Sequence, residues 1–411
     1  MREPQADRTH KPTNTQQTSN MNTPPAPQLK PPALIIAVLA SATLAMHAQS
    51  WVTVEAIFDL GSDSRITGLL VNPFPSQPWP PGLFLSAWTL DTGHSAVSLD
   101  TEQEPAVMGG IVDSFPLANR RLLRDGNKLL AAGDTLSNAN SAWHVRSSDD
   151  GGETWVSLMH DWQLAVGIAA NASGLALDAA GGIYVCGRAA DARGRYHPVI
   201  RRGQDAGITW TTVLDGSKGA NFDNVSDIQY VPGLPGKPGG IFAAGRIGNA
   251  WTVWRSRDGG ATWPVVFSWT YGKNIAEARA IATDAQGSVY VGGMANRANG
   301  PRNWYVFASF DSGATWQDLG CPLLAGTDCI LADLQVDTAG QQLWVVGSQG
   351  QFNWRMQRWT TAGWTEPIYP YLGRWSRATG VAVDDTTETY YVAGQIHDAS
   401  GQSHGTVLEI R

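Results

Sequence analysis

The sequence predicts an all-β fold, namely a single seven-bladed β-propeller of four-stranded blades that is closed by an N-terminal strand pairing into the last blade. Three observations predict it. An eight-residue pattern recurs at nearly constant spacing, and a second, apolar pattern recurs between its copies. The composition, with 45 glycines, 18 tryptophans and only 16% charged residues, is typical of a turn-rich β protein.

The first repeat reads Ser-x-Asp-x-Gly-x-Thr-Trp, and its fourth copy has Gly203 in place of serine. The aspartates of the four copies lie 55, 53 and 53 residues apart and are Asp150, Asp205, Asp258 and Asp311; the final tryptophans are Trp155, Trp210, Trp263 and Trp316. A short carboxylate accepts hydrogen bonds from the amides of its own turn, and glycine adopts positive φ at low cost. Each copy therefore predicts a hairpin in which these residues are structural.

The second repeat is a strand-like run that ends in a small residue, as at residues 183–187 and 289–293. Seven copies occur at intervals of 46 to 58 residues, which with the flanking runs predicts four short strands per unit. Residues 51–54 resemble a fourth strand, and residues 405–411 would be the third strand of the last unit. Pairing between them closes the ring and leaves no open sheet edge.

Residues 1–48 are predicted to be a polar leader and a secretory signal peptide, which leaves residues 49–411 for the propeller. Lys30 and two prolines precede a 14-residue apolar run, and Ala48 follows as a small residue for cleavage. Met21 is an alternative start, and an uncleaved anchor is the alternative to cleavage. The chain is therefore predicted to be secreted or periplasmic, with no membrane span after signal cleavage.

The formal net charge is −7 and no run of Lys and Arg occurs, so nucleic acid is not a predicted partner. The eight histidines show no metal-ligand spacing, and neither a metal nor a cofactor is predicted. Cys321 and Cys329 lie in one loop and are predicted to form a disulfide in an oxidising compartment. Cys186, in an apolar strand, is predicted to be a buried free thiol.

The first repeat resembles the Asp-boxes, or bacterial neuraminidase (BNR) repeats, of sialidases, sortilin-type receptors, photosystem assembly factors and some xyloglucan-degrading enzymes. The resemblance covers nearly all of residues 51–411 and implies a propeller of the sialidase-like superfamily. It does not imply one activity, because the families that share the repeat differ in activity. In those relatives the boxes lie on the blade periphery, away from any active site.

Sialidases also carry an aromatic-Arg-Ile-Pro motif and three arginines that bind the substrate carboxylate. Arg65 lies in Ser-Arg-Ile-Thr, which lacks the aromatic residue and the proline, and a similar pattern surrounds Arg377. Aligned inner strands place Arg120 and Arg279 on the same side, because side chains alternate with period two. The four arginines are predicted to bind a ligand carboxylate as a basic collar. Pairing of each with a neighbouring carboxylate is the alternative.

The remaining sialidase roles, a Tyr/Glu nucleophile pair and an Asp acid/base, have weak candidates in Asp63, Glu277, Tyr369 and Tyr371. Sialidases usually have six blades, so a count of seven argues against an enzyme. The predicted function is an exported, non-catalytic module that binds a ligand, plausibly a glycan, at the channel mouth. A sialidase-like exo-glycosidase acting on an acidic sugar is one alternative. An assembly or adhesion factor, with another extracytoplasmic protein as its partner, is the second.

Overall fold

A computed structural model describes residues 42–44, 52–62, 64–72, 82–89, 93–100, 107–115, 117–126, 128–135, 140–150, 154–216, 223–297, 300–320, 327–350, 353–370, 376–385 and 387–410. Before residue 121 it describes the backbone of the strands, and the side chains of Ile66 and Leu69. Within these ranges the only helical piece is a 3₁₀ turn at Asp205–Gly207, and no helix has the length and apolarity to cross a membrane.

Six antiparallel sheets have four strands each, and together they form six propeller blades. The first contains β3 (Ser64–Asn72), β4 (Gly82–Thr89), β5 (Gly93–Asp100) and β6 (Val107–Phe115). The second contains β7 (Leu117–Asp125), β8 (Lys128–Thr135), β9 (Trp143–Ser148) and β10 (Val156–Trp162). The third contains β11 (Ala170–Leu177), β12 (Ile183–Ala190), β13 (Tyr196–Gln204) and β14 (Thr209–Asp215).

The other three four-stranded sheets follow the same order from inside to outside. One contains β15 (Asn224–Val231), β16 (Gly240–Ile247), β17 (Ala250–Ser256) and β18 (Val265–Trp269). The next contains β19 (Ala276–Thr283), β20 (Val289–Asn296), β21 (Arg302–Ser309) and β22 (Gln317–Asp318). The last contains β23 (Cys329–Val336), β24 (Gln342–Gln349), β25 (Asn353–Thr360) and β26 (Gly363–Trp364).

The prediction of seven four-stranded blades is wrong, because four-stranded blades number six. The remaining sheet joins the two chain ends and has five strands: β1 (Ala42–Leu44), β2 (Val52–Ser62), β29 (Ser403–Ile410), β28 (Thr389–His397) and β27 (Ser376–Asp384), in that spatial order. Val54 of β2 lies opposite Ala42 on one side and Ile410 on the other. Residues 42–44 belong to the predicted signal segment, and most of that segment lies outside the described residues, so its cleavage stays a prediction.

The first strand of each sheet contacts the first strands of its neighbours, and β27 contacts β3, so the first strands enclose a central channel. Where side chains are described, the second and third strands are largely buried on both faces; β20, for example, is buried at every residue except the last. The fourth strands are largely exposed, as β14 shows. The apolar core therefore lies between adjacent sheets, where clusters such as the one around Phe242 and Trp251 join two sheets.

The glycines of the second repeat lie on second strands, and a tryptophan from the preceding blade packs against four of them, namely Gly187, Gly293, Gly347 and Gly394. A Cβ on Gly347 would lie 2.1 Å from the carbonyl oxygen of Ile330 and 2.8 Å from Cζ2 of Trp304. The same arrangement brings Trp354 to Gly394. Trp304 and Trp354 are fully buried. The repeat ends in glycine because any side chain there would occupy the space that the strand backbone and the indole ring fill.

The Gly347→Ala variant is therefore expected to lower the free energy of unfolding by about 1–3 kcal/mol, as an overpacked core does. Urea denaturation followed by tryptophan fluorescence measures it. Gly233→Ala is the matched control, because a Cβ there would come no closer than 3.4 Å to any neighbour. Equal stability of the two variants would contradict this view of the repeat.

Candidate functional site

Every first strand carries a one-residue β-bulge at the same level of the channel. The residues skipped in the pairing with the second strand are Thr67, Arg120, Ser173, Ser226, Arg279, Ala332 and Thr379. A bulge leaves one residue without a partner and changes the face on which the following residues lie. Residues on both sides of the bulge can thus contribute to the channel surface.

A cavity of about 660 Å³ lies at this level, on the side where the first strands begin and the second strands end. We call it the channel mouth. Its lining includes bulged residues, residues two positions before them and residues near the ends of second strands. The polar and charged side chains among them are Arg121, Asn171, Ser173, Arg188, Asn224, Ser226, Glu277, Arg279, Asp333, Arg377, Thr379 and Gln395.

Two of the four predicted arginines, Arg279 and Arg377, line the channel mouth. Arg120 occupies the bulge position that corresponds to Arg279, and Arg65 the position that corresponds to Arg377. The side chains of Arg65 and Arg120 lie outside the described residues, so their place in the collar stays a prediction. Sequence reasoning missed Arg121 and Arg188, which also line the cavity.

Glu277, the second residue of β19, lines the channel mouth near the level where the first strands begin, and two arginines share its carboxylate. Its Oε1 lies 3.5 Å from Nη1 of Arg279, and its Oε2 lies 3.5 Å from Nη1 of the buried Arg246. Both distances suit charge attraction rather than tight hydrogen bonds. One negative charge therefore faces more than one positive charge at this level.

The Arg377 side chain is exposed at the rim and makes no hydrogen bond or ion pair within the described part of the chain. Desolvation and the nearby Arg279 charge lower the pKa of its guanidinium. Like charges that approach without a carboxylate between them are unfavourable, and an anion that bound both arginines would relieve the repulsion.

Arg121 and two aspartates form an ion cluster across the channel. Nη2 of Arg121 lies 2.9 Å from Oδ2 of Asp227, and Nη1 lies 3.4 Å from Oδ2 of Asp333. Burial raises the pKa of Asp227 to about 6, an effect that Asp333 strengthens and Arg121 weakens. Burial acts in the opposite direction on Arg121, yet the two carboxylates hold its pKa above the ordinary value. The cluster carries a net charge of −1 when both aspartates are ionised.

Amides and hydroxyls form another part of the channel-mouth lining. Asn171 accepts from Nε of Arg188 at 3.3 Å and donates to Asp134 at 3.1 Å. Asn224 donates to the Ser226 hydroxyl at 3.0 Å, whereas its Oδ1 is buried without a partner. The Ser226 hydroxyl keeps its own proton to donate, so it can bind a ligand hydroxyl in the cavity.

This geometry gives little support to the predicted catalytic residues. Glu277 lines the channel mouth, but Tyr369, which is 39% exposed, does not. Asp63 and Tyr371 lie outside the described residues. No tyrosine in the described part of the chain lines the cavity. Nor does any group of three or more His, Cys, Asp or Glu side chains in these ranges have an arrangement that suits a metal ion.

The predicted Cys321–Cys329 disulfide stays a prediction. Cys329 is buried, with its Sγ 3.9 Å from Nη1 of Arg355, and burial raises its pKa. Cys321 lies outside the described residues. Cys329 is the first residue of β23 rather than a loop residue, and its side chain packs in the apolar core. Cys186 is a buried free thiol.

The hairpins of the first repeat join third strands to fourth strands. Oδ1 of Asp258 accepts from the Ser256 hydroxyl at 2.7 Å and from the Thr262 amide at 2.9 Å. Asp150 and Asp311 make the corresponding bonds, and the Trp210 and Trp263 indoles donate to glycine carbonyls in their own turns. Since alternate strands run in opposite directions, these turns lie at the end of the blades opposite the channel mouth.

That these hairpins are Asp-boxes stays a prediction: no protein-family model and no curated protein matches the chain. Among solved structures, the chain is similar to an α-L-arabinanase from Penicillium chrysogenum complexed with arabinobiose (14% identity, 70% of this chain and 91% of that one, TM-score 0.44). It is also similar to a periplasmic gluconolactonase from Pseudomonas aeruginosa (14%, 84% and 96%, 0.48). A third similar structure is a Trypanosoma rangeli sialidase in complex with sialic acid (12%, 74% and 55%, 0.41). At TM-scores below 0.5 these likenesses transfer neither activity nor ligand to this chain.

Proposed function

We propose that this chain is a binding module that holds an anionic carbohydrate in the channel mouth. The observation that carries the proposal is Arg377, an exposed side chain without a partner in the described chain, which shares one cavity with Arg279 and Arg188. A carboxylate is the ligand group that arginine binds best, through two parallel hydrogen bonds.

The charge of the cavity supports an anion rather than a neutral sugar. Four arginines, Arg121, Arg188, Arg279 and Arg377, line the cavity together with two carboxylates, Glu277 and Asp333, which leaves a surplus of two positive charges. The chain as a whole has a net charge of −7. The positive surplus is therefore local, and a cavity with a surplus of one sign of charge raises the local concentration of the opposite sign.

The polar part of the lining supports a polyhydroxylated ligand. The Ser226 hydroxyl, which accepts from Asn224 and lines the cavity, has its own proton to donate. A sugar acid presents both a carboxylate and hydroxyls. That chemistry matches a cavity lined by arginines together with amides and hydroxyls.

Binding is favoured over hydrolysis by the state of the carboxylates. Glycosidases use one carboxyl as an acid and a second as a nucleophile or base. Here Glu277 interacts with two arginines, and Asp333 interacts with Arg121 and a backbone amide. Neither carboxylate is free to act on a sugar in this arrangement.

The test compares galacturonic acid with galactose, which differ in a carboxylate, by isothermal titration at low salt. We expect galacturonic acid to bind at least tenfold more tightly, with an affinity that falls as salt is added. Arg257→Ala, at the end of the blades opposite the channel mouth, should bind like wild type. Equal binding of the two sugars would refute the proposal. Turnover of a fluorogenic sialoside or galacturonide would also refute it, by showing that the protein is an enzyme rather than a binding module.

A further inference from the structure

We infer that Arg121 is a positioning residue for the channel mouth: through Asp227 and Asp333 it holds the bulged strands that present Arg279 and Arg377. The inference rests on the proposed function, because it concerns how that site is kept in shape. It differs from a direct role, in which Arg121 would bind the ligand itself.

The first link is the guanidinium, which joins three blades. Arg121 belongs to β7, Asp227 to β15 and Asp333 to β23, and no two of these strands are neighbours in the ring. The guanidinium donates to one Oδ2 at 2.9 Å and to the other at 3.4 Å. Two carboxylates that would otherwise repel each other are thereby held on opposite sides of one cation.

The second link leads from each carboxylate to the next blade. Oδ2 of Asp227 accepts from the amide of Ile281, and Oδ2 of Asp333 accepts from the amide of Val381, both at 3.2 Å. Ile281 follows the bulge that presents Arg279, and Val381 follows the bulge on the strand that carries Arg377. The oxygens that Arg121 holds are thus the same oxygens that hold these two strands.

The third link fixes each aspartate to its own strand. Oδ1 of Asp227 accepts from the amide of Ile228, and Oδ1 of Asp333 accepts from the amide of Leu334, both at 3.0 Å. Each carboxylate therefore bridges two adjacent blades with one oxygen apiece. Both terminal nitrogens of Arg121 thus already donate to these bridging carboxylates.

Asp227 allows a test in which charge and position predict opposite results. It is buried and does not line the cavity, so it makes no contact with a ligand. If only charge mattered, Asp227→Asn would strengthen galacturonic acid binding by removing a negative charge. Positioning predicts the opposite, because an amide has only one acceptor oxygen and cannot accept from Ile228 on one side and from Ile281 and Arg121 on the other.

We expect Asp227→Asn to bind galacturonic acid about fivefold more weakly and Arg121→Met about tenfold more weakly, at unchanged circular dichroism. The Arg121→Met/Asp227→Asn variant should bind no more weakly than Arg121→Met, since both changes interrupt one pathway. Tighter binding by Asp227→Asn, or additive losses in the double variant, would overturn the inference. If Arg121→Met does not fold, Asp227→Asn alone still decides by the sign of its effect. Failure of wild type to bind would instead refute the proposed function.

Discussion

The Arg121→Ala variant is expected to lose about 3–5 kcal/mol of unfolding free energy at pH 7.5. Alanine removes the cation that lies between Asp227 and Asp333, whose side chains are only 9% and 10% exposed. Two like charges then face each other without compensation in a poorly solvated place. Urea denaturation of wild type and variant, followed by tryptophan fluorescence, measures the difference.

The pH dependence of this loss has a definite sign. The folded-state pKa of Asp227 is about 6, above its ordinary 3.8, so folding favours the protonated carboxyl. The stabilisation of the folded state that follows from the raised pKa is fully present below about pH 4 and is lost as the pH rises through about 6. The Arg121 charge lowers that pKa, so without Arg121 the pKa of Asp227 is higher still and the stabilisation is lost over a range that extends to higher pH.

Acidification from pH 7.5 to about 4.5 should therefore narrow the stability gap between wild type and Arg121→Ala. Arg257→Ala, an exposed arginine, is the control and should stay within about 0.5 kcal/mol of wild type at both pH values. A gap that is small at pH 7.5, or one that does not change with pH, would show that the cluster does not stabilise the channel.

The second large effect concerns the ligand. The Arg279→Ala/Arg377→Ala variant is expected to bind galacturonic acid about 100-fold more weakly, because two charge-assisted hydrogen-bonding groups are removed. Glu277 keeps Arg246 as a partner, so the change should leave the fold intact. Isothermal titration measures the affinity, and circular dichroism checks the fold.

The charge-preserving variant Arg279→Lys/Arg377→Lys separates charge from geometry. Lysine keeps the positive charge but not the planar fork that binds a carboxylate with two bonds, so an intermediate loss of about tenfold is expected. Wild-type affinity in the alanine variant would show that the carboxylate binds elsewhere.

Repeat spacing was sufficient to predict an all-β propeller, but not the number of four-stranded blades. The apolar runs that end in glycine, such as the one at Gly347, mark second strands because a side chain there would meet the backbone of the neighbouring strand and, at Gly347, a tryptophan ring. The five-stranded sheet was missed because β1 lies in an apolar run that reads as a signal segment. Hydrophobicity alone does not distinguish an edge strand from a signal peptide.

Part of the candidate site was predictable as well. Period-two alternation placed Arg279 and Arg377 on one side because neither lies beyond the bulge: Arg279 is the skipped residue and Arg377 precedes the skipped residue of its own strand by two. Arg121 was missed because it follows the bulge, where strict alternation assigns it to the other face. One signal was available: Arg121, Asp227 and Asp333 are 106 residues apart, twice the 53-residue spacing of the hairpins.

The most direct test of the account is a crystal structure of the protein with galacturonic acid. We expect the sugar in the channel mouth, with its carboxylate oxygens about 3 Å from guanidinium nitrogens of Arg279 and Arg377 and a hydroxyl on Oγ of Ser226. An empty channel mouth at saturating ligand, or a sugar bound at the hairpin end of the blades, would contradict it.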